Sequence, residues 1–172
     1  MVDLARLERT SPRVAGWARD RRVPKVVVAT QTRVLEAAVD VHGHWYPSVP
    51  TIAVAPELAW LWHVAAVLVA PPVSAWALER FGGAALRADA LKLSARQVLE
   101  LPMPGERSCW DEGAGLVRRL AGSADPAERA ALRASAARAM AAAYAVDSPS
   151  LLAWWTDRCP RRDRGVPVRL PV

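Results

Sequence analysis

No asparagine occurs anywhere in the 172 residues. An Asn-Pro-Pro-Tyr active site is therefore impossible. The single Pro-Pro pair, Pro71-Pro72, stands between Ala70 and Val73, with no amide or carboxylate before it and no aromatic ring after it. The nine glycines form neither a GxGxxG fingerprint nor a phosphate-binding loop. Gly82-Gly83 and Gly113-Ala114-Gly115 read as helix ends and helix packing. Cysteine is limited to Cys109 and Cys159, too few for a disulfide framework, so two free thiols in a reducing compartment are expected. His42, His44 and His63 stand at no CxxC or HxxxH spacing, and no metal site is expected. Cys109 beside Ser108 lies near an expected helix start, where a thiolate is favoured. No histidine is tied to it by spacing, so it reads as structural, with a small Cys hydrolase as a rival. The opening MVDLARLERT lacks the apolar stretch of a signal peptide, and the expected location is the cytoplasm.

Lysine is also scarce. Of 23 cationic residues, only Lys25 and Lys92 are lysine. Arginine grips phosphate or guanine through two parallel hydrogen bonds, which lysine cannot do. A codon bias towards Arg, Ala, Pro and Gly gives the same skew.

What is present is enough for one domain with a sizeable core. Hydrophobic residues make up 52%, and net charge is +6 with a pI near 10.3. A basic balance suits an acidic partner, nucleic acid or an anionic membrane surface. The charge is uneven. Residues 1–25 hold seven Lys or Arg against three acids, residues 158–172 five against one, and residues 26–157 eleven against thirteen. Solubilising ends account for this as well as a binding footprint does. The 21 residues Leu58–Leu78 carry no fixed charge, and as one helix they would span about 32 Å. Pro71-Pro72 breaks that run, since an interior proline costs about 3 kcal/mol or more. Two buried core helices are expected, with no membrane span.

Along the chain, the periodicity predicts a basic, weakly helical segment over 1–24 and strands over 25–30, 34–41 and 51–54. Leu35, Ala37 and Val39 alternate with Glu36, Ala38 and Asp40. Buried helices follow over 57–69 and 72–81, with Trp60, Trp62 and Trp76 in the core. A part-loop, part-strand ALRADALKL comes next. Ser94-Ala-Arg-Gln97 has the form of a capping box, and Pro102 and Pro104 force an extended exit. Behind it, Ser108 with Asp111 caps a helix to Leu120, Asp125 caps an Ala-rich helix to Val146, and Ser148-Pro149 caps a short helix carrying Trp154-Trp155. The class is α+β: a small mixed or antiparallel sheet with packed helices, followed by a helical C-terminal extension. The divisions are 1–24, a core over 25–104, the extension over 105–158 and a loose basic tail over 159–172.

PKVVVATQTRVLEAAVD with a Gly turn and Trp45, then SVPTIAV, then LWHVAAVLVAPPVSAWALERFGGAALRADALKLSARQVLELPMP form an ordered series. Over about residues 20–104 it resembles the C-terminal target-recognition domain of N6-adenine DNA methyltransferases of the restriction–modification type. Ala70-Pro71-Pro72 stands where that family has Asn-Ser-Pro. The resemblance implies a module that reads double-stranded DNA and presents an adenine to a separate catalytic methyltransferase domain or subunit, which would bind S-adenosylmethionine and hold the flipped base. This chain carries neither cofactor-binding nor catalytic motifs of its own. On that reading the loops at 31–33, 80–87 and 92–96 face DNA. Gln31 would pair with an adenine edge, Arg33 with guanine or phosphate, and Thr32 with phosphate. Lys25, Arg80, Arg87, Lys92 and Arg96 would supply further contacts. The plain alternative is that Arg33 pairs with Glu36 or Asp40 on the surface. The rival function is a protein-interaction subunit whose C-terminal helices and Trp154-Trp155 dock a methyltransferase or other partner.

Overall fold

The computed structural model describes residues 4–83 and 89–160. The elements run α1 (Leu4–Thr10), α2 (Pro12–Asp20), β1 (Lys25–Ala29), β2 (Gln31–Thr32), β3 (Ala37–Asp40) and β4 (Thr51–Val54). A 3-10 turn (Leu58–Trp60) leads into α3 (Leu61–Val67) and α4 (Pro71–Phe81). Then come β5 (Leu91–Lys92), α5 (Ala95–Leu99), α6 (Arg107–Gly122), α7 (Pro126–Ala143) and α8 (Pro149–Arg158). The class is α+β, a small antiparallel sheet packed with helices and followed by C-terminal helices. The tail beyond residue 160 lies outside the described residues.

β1 is the centre of a three-stranded sheet of order β3-β1-β4, antiparallel on both sides. Val26 faces Val39 and Val54, and Val28 faces Ala37 and Ile52, so these six share one face. Val26 and Val28 are fully buried there against α3, in one apolar cluster that also takes in Val73 and Ala77 of α4 and continues to Met140 of α7. That continuity joins the strand-rich front to the helical back. A second ladder, β2 with β5, pairs Gln31 with Lys92 and Thr32 with Leu91.

The strand expected over 34–41 starts only at Ala37. Residues 33–34 bend instead, where the chain leaves the β2–β5 ladder, and the Glu36 carbonyl then accepts from the Ala29 N–H at 3.0 Å just before β3 begins. Leu35 is buried but its N–H donates to the hydroxyl of the fully buried Ser74 at 3.1 Å, and Val34 packs with Ala137 and Trp155. Asp40, expected to face solvent, is buried. The helix expected from residue 57 begins as the 3-10 turn, with Leu58 69% exposed. Trp60, Trp62 and Trp76, expected in the core, are only half-buried.

Pro71 and Pro72 start α4 after Ala70, where proline's missing N–H costs nothing. The Leu58–Val67 and Pro71–Phe81 segments meet at 66°, and among the described residues no single helix is long and apolar enough to cross a membrane. Ser94 and Gln97 form the full reciprocal capping box. Asp125 caps α7 and Ser148 caps α8. α6 departs from expectation: Glu106, not Ser108, accepts from the Ser108 N–H, and the helix runs through Gly122. α7 ends at Ala143, three residues before Val146, where Ala145 turns to a positive φ of 54°. α6 and α7 pack closely because Gly113 has no Cβ; one there would overlap Met140 Sδ.

Candidate nucleic-acid interface

The β2–β5 ladder builds the site. It is short, but the backbone holds it firmly: Leu93 N–H donates to Thr30 carbonyl at 2.9 Å, extending the pairing by one step. Gln31 and Lys92 stand opposite each other and both are exposed. Arg33 follows β2 directly. Its Nε lies 3.3 Å from Asp89 Oδ2, and both side chains are roughly half-exposed. Asp89, rather than Glu36 or Asp40, is therefore the ion-pair partner of Arg33 among the described residues. Arg96 opens α5 just beyond β5; it is almost wholly exposed and 3.7 Å from Glu100. Arg80 projects from the last turn of α4, with its guanidinium 5.5 Å from the Trp76 ring centroid. Arg87 lies outside the described residues.

Two expected contacts do not survive the geometry. Lys25 is 2% exposed. Its ammonium donates to Asp40 Oδ2 at 2.8 Å and to the carbonyls of Arg21 and Val23, each at 3.0 Å. An ammonium has three donors, and all three are taken. Asp40 also accepts from the N–H groups of His44 at 3.0 Å and Trp45 at 2.8 Å. Burial pushes the Asp40 carboxyl up, but the Lys25 and backbone hydrogen bonds and the Lys25 charge outweigh it and hold it below its usual value. Lys25 is thus a structural pin. Thr32 is the second correction: its hydroxyl is buried and finds no partner among the described residues, so it does not face a phosphate.

No model of a known protein family matches the chain, and no curated protein matches it.

The remaining chemistry lies elsewhere. His63 Nε2 donates to Asp111 Oδ1 at 2.7 Å, Arg107 Nε donates to the same oxygen at 2.8 Å, and Trp110 Nε1 donates to the His63 carbonyl at 2.9 Å. These hydrogen bonds from His63 and Arg107 lower the Asp111 carboxyl. Arg107 also lies 4.6 Å over the Trp60 ring. The cluster fastens α3 to α6 and is self-satisfied apart from His63 Nδ1. Sequence spacing gave no hint of it, because its halves lie 48 residues apart. Among the described residues no group of three or more His, Cys, Asp or Glu could hold a metal. Cys159 lines a cleft of about 320 Å³ with Arg33 and Arg158. Burial pushes its thiol up to about 11, so it is a poor nucleophile at neutral pH.

The exposed large apolar side chains among the described residues are Val14, Trp17, Val23, Val41, Val49, Leu58, Leu99 and Met103. None lies on α6, α7 or α8. Trp155 is buried and Trp154 is half-buried beneath Arg158.

Proposed function

We propose that this chain reads a short sequence in double-stranded DNA for a separate N6-adenine methyltransferase unit. That unit supplies S-adenosylmethionine and performs methyl transfer; this chain supplies recognition. The observation that carries the reading is the exposed pair Gln31 and Lys92 on a two-stranded ribbon, with Arg33 and Arg96 at its ends.

The chemistry is direct. A two-stranded ribbon fits the major groove, about 12 Å wide. A glutamine amide there meets adenine N6 and N7 with one donor and one acceptor. Lysine and arginine supply phosphate contacts that fix register without carrying sequence information. The net charge of +6 favours the encounter, at a cost in salt sensitivity. The ordered resemblance over residues 20–104, which includes both strands of the ladder, supports the same reading.

The test is fluorescence anisotropy with labelled random-sequence duplexes at 50 and 200 mM salt. Binding should weaken as salt rises, and Lys92→Ala with Arg96→Ala should lower the slope of log K against log salt by about 2. In competition with single-base variants of a site selected from a randomised duplex pool, Gln31→Ala should weaken the preference for an A·T pair at one position, without changing that slope. No binding at 50 mM salt, or a slope untouched by the double substitution, refutes the proposal.

A further inference from the structure

We infer that Asp89 is a positioning residue that presets Arg33 to read the edge of a guanine. The inference rests on the DNA-reading proposal and specifies one base contact within it.

The ladder register places the two residues. Thr32 pairs with Leu91, so Arg33 leaves one strand where residues 89–90 enter the other. The Asp89 carboxylate meets the Arg33 guanidinium on its Nε side at 3.3 Å. The pair is an ion pair on the Nε side of the guanidinium, and the Nη1 and Nη2 edge is the one a second partner would meet. That edge offers two parallel donors, the pattern that guanine O6 and N7 accept. Side-chain exposures of 43% and 36% keep the pair in reach of a ligand. An arginine side chain loses rotamer freedom when it docks; one already held by a carboxylate loses less.

Charge argues against a phosphate role for Arg33. A carboxylate beside a phosphate contact is repelled by the polyanion and cancels the cation that releases counterions. A carboxylate beside a base-reading arginine costs the same repulsion but returns orientation. Asp89 therefore makes sense where discrimination, rather than total affinity, is the output. Lys92, Arg96 and the exposed Arg80 are left to carry phosphate.

The experiment is selection from a randomised duplex pool by the full chain, followed by competition with single-base variants of the selected site. Wild type, Arg33→Ala, Asp89→Asn and Asp89→Glu are compared, with far-UV circular dichroism confirming that each is folded. Wild type should prefer guanine at one position. Arg33→Ala should lose that preference by roughly 5- to 150-fold, the worth of one bidentate pair. Asp89→Asn should lose roughly 3- to 10-fold at the same position only, because Arg33 keeps its donors and loses its aim. Asp89→Glu should retain most of it.

Three outcomes overturn the inference while leaving the DNA-reading proposal standing. These are an Asp89→Asn protein that keeps its guanine preference, one that loses preference evenly at every position, and a wild type with no guanine position governed by Arg33. A wild type that binds no duplex overturns both.

Discussion

Replacing Lys25 by methionine is expected to destabilise the fold by about 3–5 kcal/mol, the usual consequence of removing one partner from a buried ion pair. The structure shows why the figure should not be smaller. Methionine fills similar volume, so the loss is electrostatic rather than steric. The Asp40 carboxylate, 3% exposed, would keep two backbone donors but lose its only cationic partner among the described residues, and the carbonyls of Arg21 and Val23 would lose their Nζ donor. Those carbonyls and the 42–45 turn tie the end of α2 to the edges of β1 and β3. Against a total stability of about 5–15 kcal/mol the loss is large. Urea unfolding followed by tryptophan fluorescence measures it, with the slope m checked for constancy. A double substitution, Lys25→Met with Asp40→Asn, should recover part of the loss, since it removes the uncompensated charge and keeps an acceptor for one N–H. pH supplies an independent arm. The folded Asp40 carboxyl lies below its unfolded value, so its contribution is present above about pH 4 and fades as pH falls through the folded value. Without Lys25 its hydrogen bond and charge are gone while burial and the two backbone donors remain, so the folded carboxyl lies higher than in wild type and the gap between wild type and Lys25→Met should close on acidification. A loss under about 1 kcal/mol at pH 7 with unchanged m, the exposed-pair range, would refute the reasoning.

Gly43→Ala should destabilise by at least about 2 kcal/mol in the same urea assay. The position has φ +68°, and a Cβ would lie 2.7 Å from Arg22 C and Val23 N, backbone atoms that cannot swing aside. Tyr144→Phe should cost about 1 kcal/mol, because the hydroxyl donates to the Pro102 carbonyl at 2.7 Å. Burial raises the folded Tyr144 phenol above its usual value of 10, so wild type should lose stability as pH climbs past about 10, and Tyr144→Phe should lose less. A wild type and variant with parallel stability curves to pH 11 would contradict that burial.

Local chemistry was the legible part of the fold. The capping box at Ser94 and Gln97, the Asp125 and Ser148 caps and the proline start of α4 each depend on three or four consecutive residues, and each stands where the sequence puts it. Non-local commitments misled it. Period-2 alternation does turn Asp40 away from the core face that Val39 occupies. It cannot reveal that the 42–45 turn and the end of α2 cover the other face, with Lys25 fifteen positions back waiting in register. Leu35 looked like a strand residue because it is apolar and in phase. The β2–β5 ladder, closed across some sixty residues, takes the chain out of β geometry just before it.

The candidate site divides along the same line. Residue type marks what a side chain can bind, and Gln31, Arg33, Lys92 and Arg96 were visible on that ground. Whether its donors are free is decided by burial. Lys25 and Arg33 are both cations at the end of a strand, and each meets a carboxylate. For Lys25 the pairing happens at 2–3% exposure and consumes every donor, so the residue belongs to the scaffold. For Arg33 it happens near 40% exposure, as an ion pair on the Nε side of a planar fork with five donors, so the pairing does not by itself withdraw the residue from a ligand. Asp89 gave no sequence signal, being a lone acid between Arg87 and Lys92 with no periodicity around it. On the proposed reading a carboxylate beside a cation carries opposite meanings in this one chain: it withdraws Lys25 from any ligand, and beside Arg33 it would orient the cation toward one. The two cases separate by experiment, since Lys25→Met should change stability without changing the affinity of the folded protein for DNA, and Asp89→Asn should do the reverse.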